Sequence, residues 1–299
     1  MNPTTPRVLV TGAAGRLGGT VAELFHAEGF DLLATDVVDA HDVPYRFERA
    51  DLLDHESVAE LLPGIDVVLH IGNHPGIGRR PPQLVFNENI AMNENVFQGA
   101  AEHGVSRIVF ASTVQLIGSH ADERTVVDPP PRPRFPISGD TPPTPSNAYA
   151  LSKTVSEVML RYYAERCGIQ CTALRLPLLH HHQDSIMVDS GSEHPDDIVE
   201  GFTGLTYDDA ASLFRAVVAS DLTGFRIFMA GTSHRHRELD LPDLIRTYYP
   251  EVDPDTPDLI DLTAVTRDTG WQPGPGYRRP SADSTPPDPT PPDPTPPGG

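Results

Sequence analysis

Short apolar runs alternate along the chain with longer segments in which apolar residues recur every three or four positions. The runs predict strands at 8–10, 30–35, 45–49, 66–70, 106–111 and 170–174. The longer segments predict helices at 17–28, 55–62, 83–103 and 147–167. Because strand and helix alternate, the pattern predicts an α/β fold with a doubly wound parallel sheet covered by helices on both faces. Ligands bind such sheets beyond the carboxyl ends of the strands.

A glycine-rich segment follows the first predicted strand directly. In it Gly12, Gly15 and Gly18 are spaced three residues apart. Gly12 permits a tight turn, Gly15 lets the backbone approach a pyrophosphate, and Gly18 allows the next helix to pack on the sheet. This spacing is one residue wider than the common dinucleotide fingerprint, so the glycines alone leave a purely structural turn open.

An acidic residue, Asp36, ends the next apolar run, roughly twenty residues beyond the glycine turn as dinucleotide-binding folds require. Its carboxylate can accept hydrogen bonds from an adenosine ribose and would repel a 2′-phosphate. The predicted cofactor is therefore NAD. Arg16 inside the turn is a counter-argument, since a guanidinium there could pair with a 2′-phosphate, but it could equally meet the pyrophosphate.

Tyr149 and Lys153 lie four residues apart in the helix predicted at 147–167, and therefore on one helical face. The lysine charge would stabilise a Tyr149 phenolate and lower the pKa of the phenol, so the tyrosine becomes a usable base. Upstream prolines cannot continue a helix, and Ser146 is the predicted N-cap, which puts Tyr149 in the first turn. On this pair alone, an ordinary amphipathic helix with a solvated lysine is the more common interpretation.

These segments, in this order, resemble the extended short-chain dehydrogenases/reductases, the NAD-dependent epimerase/dehydratase group. The matching parts are Thr11 to Gly18, Asp36, Asp51 with Leu52, His70 to Gly72, Asn89, Phe110 to Thr113, Tyr149 with Lys153, Leu174 with Arg175, and Gly270 to Pro273. The resemblance covers most of residues 7–277. It implies a Rossmann-like NAD-binding core at 1–175, a small substrate lobe with returning core elements at 176–277, and a separate tail at 278–299.

The resemblance also implies roles for individual residues. Tyr149 would take or give the proton of the reacting oxygen, Lys153 would also hold the nicotinamide ribose, and the Thr113 hydroxyl would hold the reacting oxygen. Asn89 would be a structural polar residue or part of a proton relay. The expected cofactor contacts are Gly12, Gly15, Arg16, Leu17, Gly18, Asp36, Asp51, Leu52, Gly72 and Lys153. The structural alternatives are that Ser112 and Thr113 bond only to the backbone and that Asp51 caps the turn that follows it.

Departures from the family pattern guide the choice of substrate. Val114 and Gln115 replace the acidic pair of dehydratases, and Leu178 replaces an asparagine common in nucleotide-sugar epimerases. The segment 205–209 resembles uronate dehydrogenases, yet no arginine occurs between Arg175 and Arg215 to clamp a substrate carboxylate. We expect an oxidoreductase acting on a secondary alcohol or ketone of a sugar-like substrate. The alternatives are an epimerase that retains its cofactor and a non-catalytic NAD-binding sensor. The expected substrate contacts are Ser112, Asn73 and His180.

A metal site is the alternative use of three consecutive histidines. They could join other ligands downstream, and the whole set is His180, His181, His182, Asp184, Asp189 and His194. Three adjacent loop residues point in different directions and lack a zinc spacing, so no metal is expected.

Composition restricts the classes of partner and the location that we expect for the protein. A formal net charge of −20 argues against nucleic acid and anionic membranes. The two cysteines imply no disulfide framework, and no signal peptide or membrane-spanning run is evident, so the expected location is the cytoplasm. The resemblance implies a homodimer through the helices at 83–103 and 147–167. A proline-rich insertion at 119–146 is predicted to be a lid, and the proline-rich tail to be disordered.

Overall fold

The computed structural model describes residues 5–40, 42–76, 80–118, 133–181, 203–233 and 239–274. The tail, half of the predicted lid, and four of the six candidate metal ligands lie outside these residues. In order, those four are His182, Asp184, Asp189 and His194. Within the described part, no helix is long and apolar enough to cross a membrane.

Seven parallel strands form the main sheet, which confirms the predicted doubly wound fold. Its strands are β1 (Arg7–Thr11), β2 (Asp31–Asp36), β3 (Arg46–Arg49), β4 (Val67–His70), β5 (Arg107–Thr113), β6 (Gln170–Leu176) and β9 (Phe225–Met229). They lie in the order β3-β2-β1-β4-β5-β6-β9. The strand order reverses between β1 and β4, which is where ligands bind in open sheets of this kind.

Helices cover both faces of this sheet. They are α1 (Arg16–Ala27), α2 (His55–Leu61), α3 (Pro82–Glu102), α4 (Ala148–Cys167), α5 (Tyr207–Ala219), α6 (Leu241–Tyr248) and α7 (Thr263–Thr269). Side chains alternate along β1, so that Val8 and Val10 pack in the core under α1 and α5, while Leu9 packs under α2, α3 and α4. Burial on both sides explains why the strands are continuous apolar runs rather than alternating ones.

A smaller sheet forms beside the main one from residues after 176. Its strands are β7 (Leu179–His180), β8 (Thr203–Thr206) and β10 (Thr232–Ser233), in the order β10-β8-β7. Between them the chain returns to the main sheet as β9, which pairs with β6. Both a small lobe and a returning core element therefore occur after residue 176. The division into three domains stays a prediction.

One predicted helix cap is wrong. Asn147, not Ser146, caps α4, because its side-chain oxygen accepts the Ala150 backbone N–H at 2.7 Å. Asp51 accepts the Leu53 N–H of the turn that follows it, as its structural alternative had it, while Asp54 caps α2 by accepting from the Glu56 N–H. Tyr149 still lies in the first turn of α4, as predicted.

Candidate active site

A cleft of about 670 Å³ opens at the carboxyl ends of the central strands. Its walls include the glycine turn after β1, the ends of β2 and β4, and the first turns of α4. Nearly all the predicted site residues line it, namely Gly12, Gly15, Arg16, Leu17, Gly18, Asp36, Asp51, Leu52, Gly72, Asn73, Ser112, Thr113, Tyr149 and Lys153. The described lining also includes Leu179 of β7 and Tyr207 of α5 but not His180, whose substrate role stays a prediction.

The turn between β1 and α1 is built so that only glycine fits. Gly12 has φ +72°, and a Cβ there would stand 2.7 Å from the Gly72 backbone nitrogen. A Cβ on Gly18 would overlap the Gly12 carbonyl oxygen, so α1 could not begin where it does. The turn therefore presents bare backbone and the start of α1, whose first turn holds no acidic residue, to the cleft. This is a suitable cradle for a pyrophosphate.

Two carboxylates flank the far end of the cleft, which we call the adenosine end. Asp36 accepts the Ala14 N–H at 3.1 Å and the Val38 N–H at 3.2 Å, so the turn itself holds the carboxylate in place. Asp51 accepts the Leu53 N–H at 3.0 Å. Carboxylate oxygens at this end can accept ribose hydroxyls and would oppose a 2′-phosphate, which fits NAD better than NADP.

Tyr149 and Lys153 mark the opposite end of the cleft, which we call the catalytic end after their predicted role. Both are buried, with exposed fractions of 9% and 3%. The Lys153 Nζ donates to the Asn73 side-chain oxygen and to the Ala111 carbonyl, both at 2.8 Å. It lies 4.4 Å from the Phe110 ring centroid and 5.7 Å from that of Tyr149. The interpretation of Lys153 as a solvated helix lysine is therefore wrong.

Burial lowers the pKa of Lys153 to about 7, against a smaller opposite effect from the Glu157 carboxylate. A buried ammonium loses hydration that two hydrogen bonds replace only in part. Near neutral pH the protonated and neutral forms of this side chain are therefore comparable in free energy. Any anion that forms beside it, such as a phenolate, raises its proton affinity in turn.

The two hydroxyls at the end of β5 serve different purposes. Thr113 accepts the Gln115 N–H at 3.2 Å and caps a short 3₁₀ helix at 114–117, which leaves its own proton to donate. Ser112 donates to Glu157 at 2.7 Å, and Glu157 forms a buried ion pair with Arg175 at 2.8 Å. Thr113 thus bonds to the backbone, as the structural alternative had it, whereas Ser112 bonds to a side chain. The substrate role of Ser112 stays a prediction.

A buried polar network joins the glycine turn to α4. Thr11 accepts backbone N–H groups at its hydroxyl, so it donates to His70 Nδ1 at 2.8 Å. His70 Nε2 then donates to the Asn93 side-chain oxygen at 2.8 Å, which also accepts from Asn73 at 2.7 Å. Burial lowers the pKa of His70 to about 3, so the ring is neutral and the tautomer is fixed. The chain from Thr11 through Asn73 therefore ends on Lys153.

Asn93, in this network, was not identified from the sequence. The available signal was its spacing, since Asn89 and Asn93 lie one turn apart and hence on one face of α3. Both are fully buried, and their side-chain amides donate to Ser152 and Ser156 of α4 at 3.1 and 2.6 Å. Three charged or titratable cleft residues were also missed, namely His74, Arg80 and Glu88.

Comparison with known proteins identifies relatives of this chain. A uronate dehydrogenase from Pseudomonas syringae pv. tomato is 30% identical over 174 residues, which is 57% of this chain and 58% of that protein. An NAD-dependent glucose-6-phosphate dehydrogenase from Haloferax volcanii is 27% identical over 221 residues, 72% of this chain and 80% of that protein. UDP-glucose 4-epimerase from Thermotoga maritima, solved with UDP-glucose, aligns with a TM-score of 0.66 at 18% identity. That alignment covers 89% of this chain and 93% of that one and shows a shared fold.

A family model also matches this chain. The model of the NAD dependent epimerase/dehydratase family matches residues 8–180, which include the glycine turn, both carboxylates of the adenosine end, and the catalytic end. The resemblance found in the sequence is thereby confirmed. This chain belongs to the NAD dependent epimerase/dehydratase family.

Proposed function

We propose that this protein is an NAD-dependent dehydrogenase that oxidises a secondary alcohol, or reduces the matching ketone, of a sugar-like substrate. The cofactor is NAD, which the names of the matched family and of a relative include and which the position of Asp36 predicted from the sequence. Relatives named as uronate and glucose-6-phosphate dehydrogenases support a dehydrogenase acting on a single sugar unit. Bound NAD supplies the hydride acceptor or donor, and the protein supplies orientation and proton transfer.

One observation carries this proposal. Thr113, Tyr149 and the buried Lys153 line the same cleft as the glycine turn, although they come from different elements of the fold. A hydroxyl donor, a phenol and an ammonium are the set needed to move a proton to or from an alcohol oxygen. A glycine turn that merely connected β1 to α1 would not need this set beside it.

Each side chain has a role that its contacts support. In the proposed reaction Tyr149 removes the hydroxyl proton, and the Lys153 charge stabilises the phenolate form during that step. Thr113 donates a hydrogen bond to the reacting oxygen and holds it towards the phenol. The Asn73 side-chain oxygen and the Ala111 carbonyl keep the ammonium in position, because each accepts one of its protons.

The test is a screen of aldoses, uronic acids, sugar phosphates and nucleotide sugars with NAD, followed at the nicotinamide absorbance band. The expected result is stoichiometric NADH formation with a single sugar unit, lost in Tyr149→Phe. Sugar isomerisation without net NADH would instead assign the protein to the epimerases. NAD binding without turnover of any class would assign it to the sensors and end the proposal.

We also propose a homodimer formed through α3 and α4. Leu84 of α3 and Leu151, Val158 and Tyr162 of α4 are exposed, and the last three lie on one face of their helix. A sedimentation experiment should give a dimer for the wild type and a monomer for Val158→Asp. A monomeric wild type at micromolar concentration would rule the dimer out. The cytoplasmic location stays a prediction.

A further inference from the structure

We propose that Glu88 and Arg80 form the sugar-binding pair of the catalytic end and select an uncharged sugar over a sugar acid. This inference rests on the proposed dehydrogenase function and names the class of its substrate. Glu88 and Arg80 both line the cleft, together with His74. The pair would recognise neighbouring hydroxyls, of which one donates to a carboxylate and the other accepts from a guanidinium.

The three side chains form one connected cluster. Glu88 Oε2 accepts from His74 Nε2 at 2.5 Å and from Arg80 Nη1 at 2.8 Å. The exposed fractions of the side chains of His74 and Glu88 are 23% and 20%, so both are held by their surroundings yet reach solvent in the cleft. Both bonds end on the same oxygen, and among the described residues none ends on Oε1. That oxygen is therefore available to accept a ligand hydroxyl.

Connections through α3 place this cluster at the catalytic end. His74 directly follows Asn73, the residue that accepts from Lys153. Its backbone N–H donates to the Asn89 side-chain oxygen at 2.8 Å. The Asn89 amide in turn donates to the Ser152 hydroxyl at 3.1 Å, one residue before Lys153. The cluster is thus anchored to the same helix turn as the proton-transfer residues, away from the carboxylates of the adenosine end.

The charges at this end favour an uncharged ligand. The positive charge of Arg80 is already compensated by Glu88. The other cationic side chains among the described lining residues are Arg16, at the glycine turn, and Lys153, which is buried and bonded to Asn73 and Ala111. A sugar acid would bring its carboxylate towards Glu88, and none of the described lining residues offers a spare cation to pair with it. An uncharged sugar instead satisfies both members of the pair by hydrogen bonds.

The test compares Glu88→Gln with the wild type on an aldose and on the matching uronic acid, with NAD as the cofactor. We expect the KM for the aldose to rise about tenfold or more, since a hydrogen bond to a charged acceptor is lost. The preference for the aldose over the uronic acid should fall by a similar factor, because the repulsion is removed. The KM for NAD should change less than about twofold. Glu102→Gln, at the exposed end of the same helix, is the matched control. It should leave the KM for the aldose, the preference for the aldose and the KM for NAD at their wild-type values.

Arg80→Gln provides a second, independent variant, because its half-exposed side chain can be lost without disturbing the core. It should also raise the KM for the aldose while NAD binding, measured directly by titration, stays intact. A wild type that prefers the uronic acid would overturn the inference and leave the dehydrogenase function standing. Variants that raise the KM for NAD alone would overturn it too, because that result would place the pair in the part of the cleft that binds the cofactor. Absence of turnover with every sugar would instead defeat the function on which the inference rests.

Discussion

The two ends of the cleft are constructed differently. At the adenosine end, Asp36 and Asp51 bond to backbone N–H groups, two of which lie only two residues further along the chain. At the catalytic end, Lys153 is held by Ala111 and Asn73, which are 42 and 80 residues away in sequence. In the proposed function, the adenosine end is a local arrangement that recognises the cofactor. The catalytic end depends on the whole sheet and on α3 and α4 packing together.

Burial separates the two ends in the same way. The Asp36 and Asp51 carboxylates reach solvent, where water screens their charge and weakens each interaction. Lys153 is almost fully enclosed, so the same charge acts strongly on its neighbours and its pKa moves to about 7. Selection of the cofactor therefore tolerates solvent. Proton transfer, by contrast, requires the dry interior that long-range packing provides.

The largest expected effect separates chemistry from cofactor binding. Tyr149→Phe removes only the phenol oxygen, so kcat should fall by about 10² to 10⁴ while the Kd for NAD stays within about twofold of the wild type. Single-turnover kinetics and a fluorescence titration of NAD would measure the two quantities. Tyr45→Phe, which removes a phenol oxygen just before β3, is the matched control and should leave kcat unchanged. A fall in NAD affinity equal to the fall in kcat would show that the two ends are not separable.

The next effect tests the glycine turn. Gly18→Ala forces a methyl group against the Gly12 carbonyl, which at the usual cost of overpacking weakens NAD binding by about tenfold to a hundredfold. Gly19→Ala is the matched control, because its Cβ would meet nothing closer than the Ala13 carbonyl at 3.4 Å. That variant should bind NAD normally and gain up to about 1 kcal/mol in unfolding free energy from its helical position. Equal NAD affinity of the two variants would contradict the close-packed turn.

The same contrast explains what the sequence could predict. The glycine turn, Asp36 and the pair formed by Tyr149 and Lys153 follow from backbone conformation and short spacings, which a single sequence displays. The bonds from Asn73 to Lys153 and to Asn93 depend on how α3 lies against the segment after β4, and no local pattern encodes that placement.

The prediction of the α4 cap failed for a related reason. Ser146 and Asn147 are adjacent and both are good caps, so residue type alone could not choose between them. The choice depends on where the backbone enters the helix, and Asn147 is the residue with extended φ and ψ. Glu88 and Arg80 were missed because charged residues near a helix start are ordinary on a surface. Only their position in the lining of the cleft suggests a role in binding a ligand.

A smaller effect concerns the choice of cofactor at the adenosine end. Asp36→Ala removes the carboxylate that would accept ribose hydroxyls and oppose a 2′-phosphate. We expect the KM for NAD to rise about tenfold and the ratio of kcat/KM for NAD over NADP to fall by at least as much. Steady-state kinetics with both cofactors would measure this ratio, with kcat at saturating cofactor as the internal control. An unchanged ratio would mean that Arg16 or another group sets the selectivity.

The smallest effect, taken per pH unit, is a slope of the unfolding free energy against pH. It reports on the catalytic end alone. Lys153 is the only lysine in the sequence, so isotope-labelled lysine gives a single side-chain signal to titrate. Its midpoint should lie near pH 7, well below the ordinary value of 10.5, because burial opposes the charge. Between these two values the unfolded chain holds a proton that the folded chain has released, so unfolding takes up a proton. The stability of the wild type relative to Lys153→Met should therefore rise from pH 7 to 10, by at most about 1.4 kcal/mol per pH unit. A signal that titrates near 10.5, together with a flat difference in stability, would place the lysine in water and remove the contrast between the two ends.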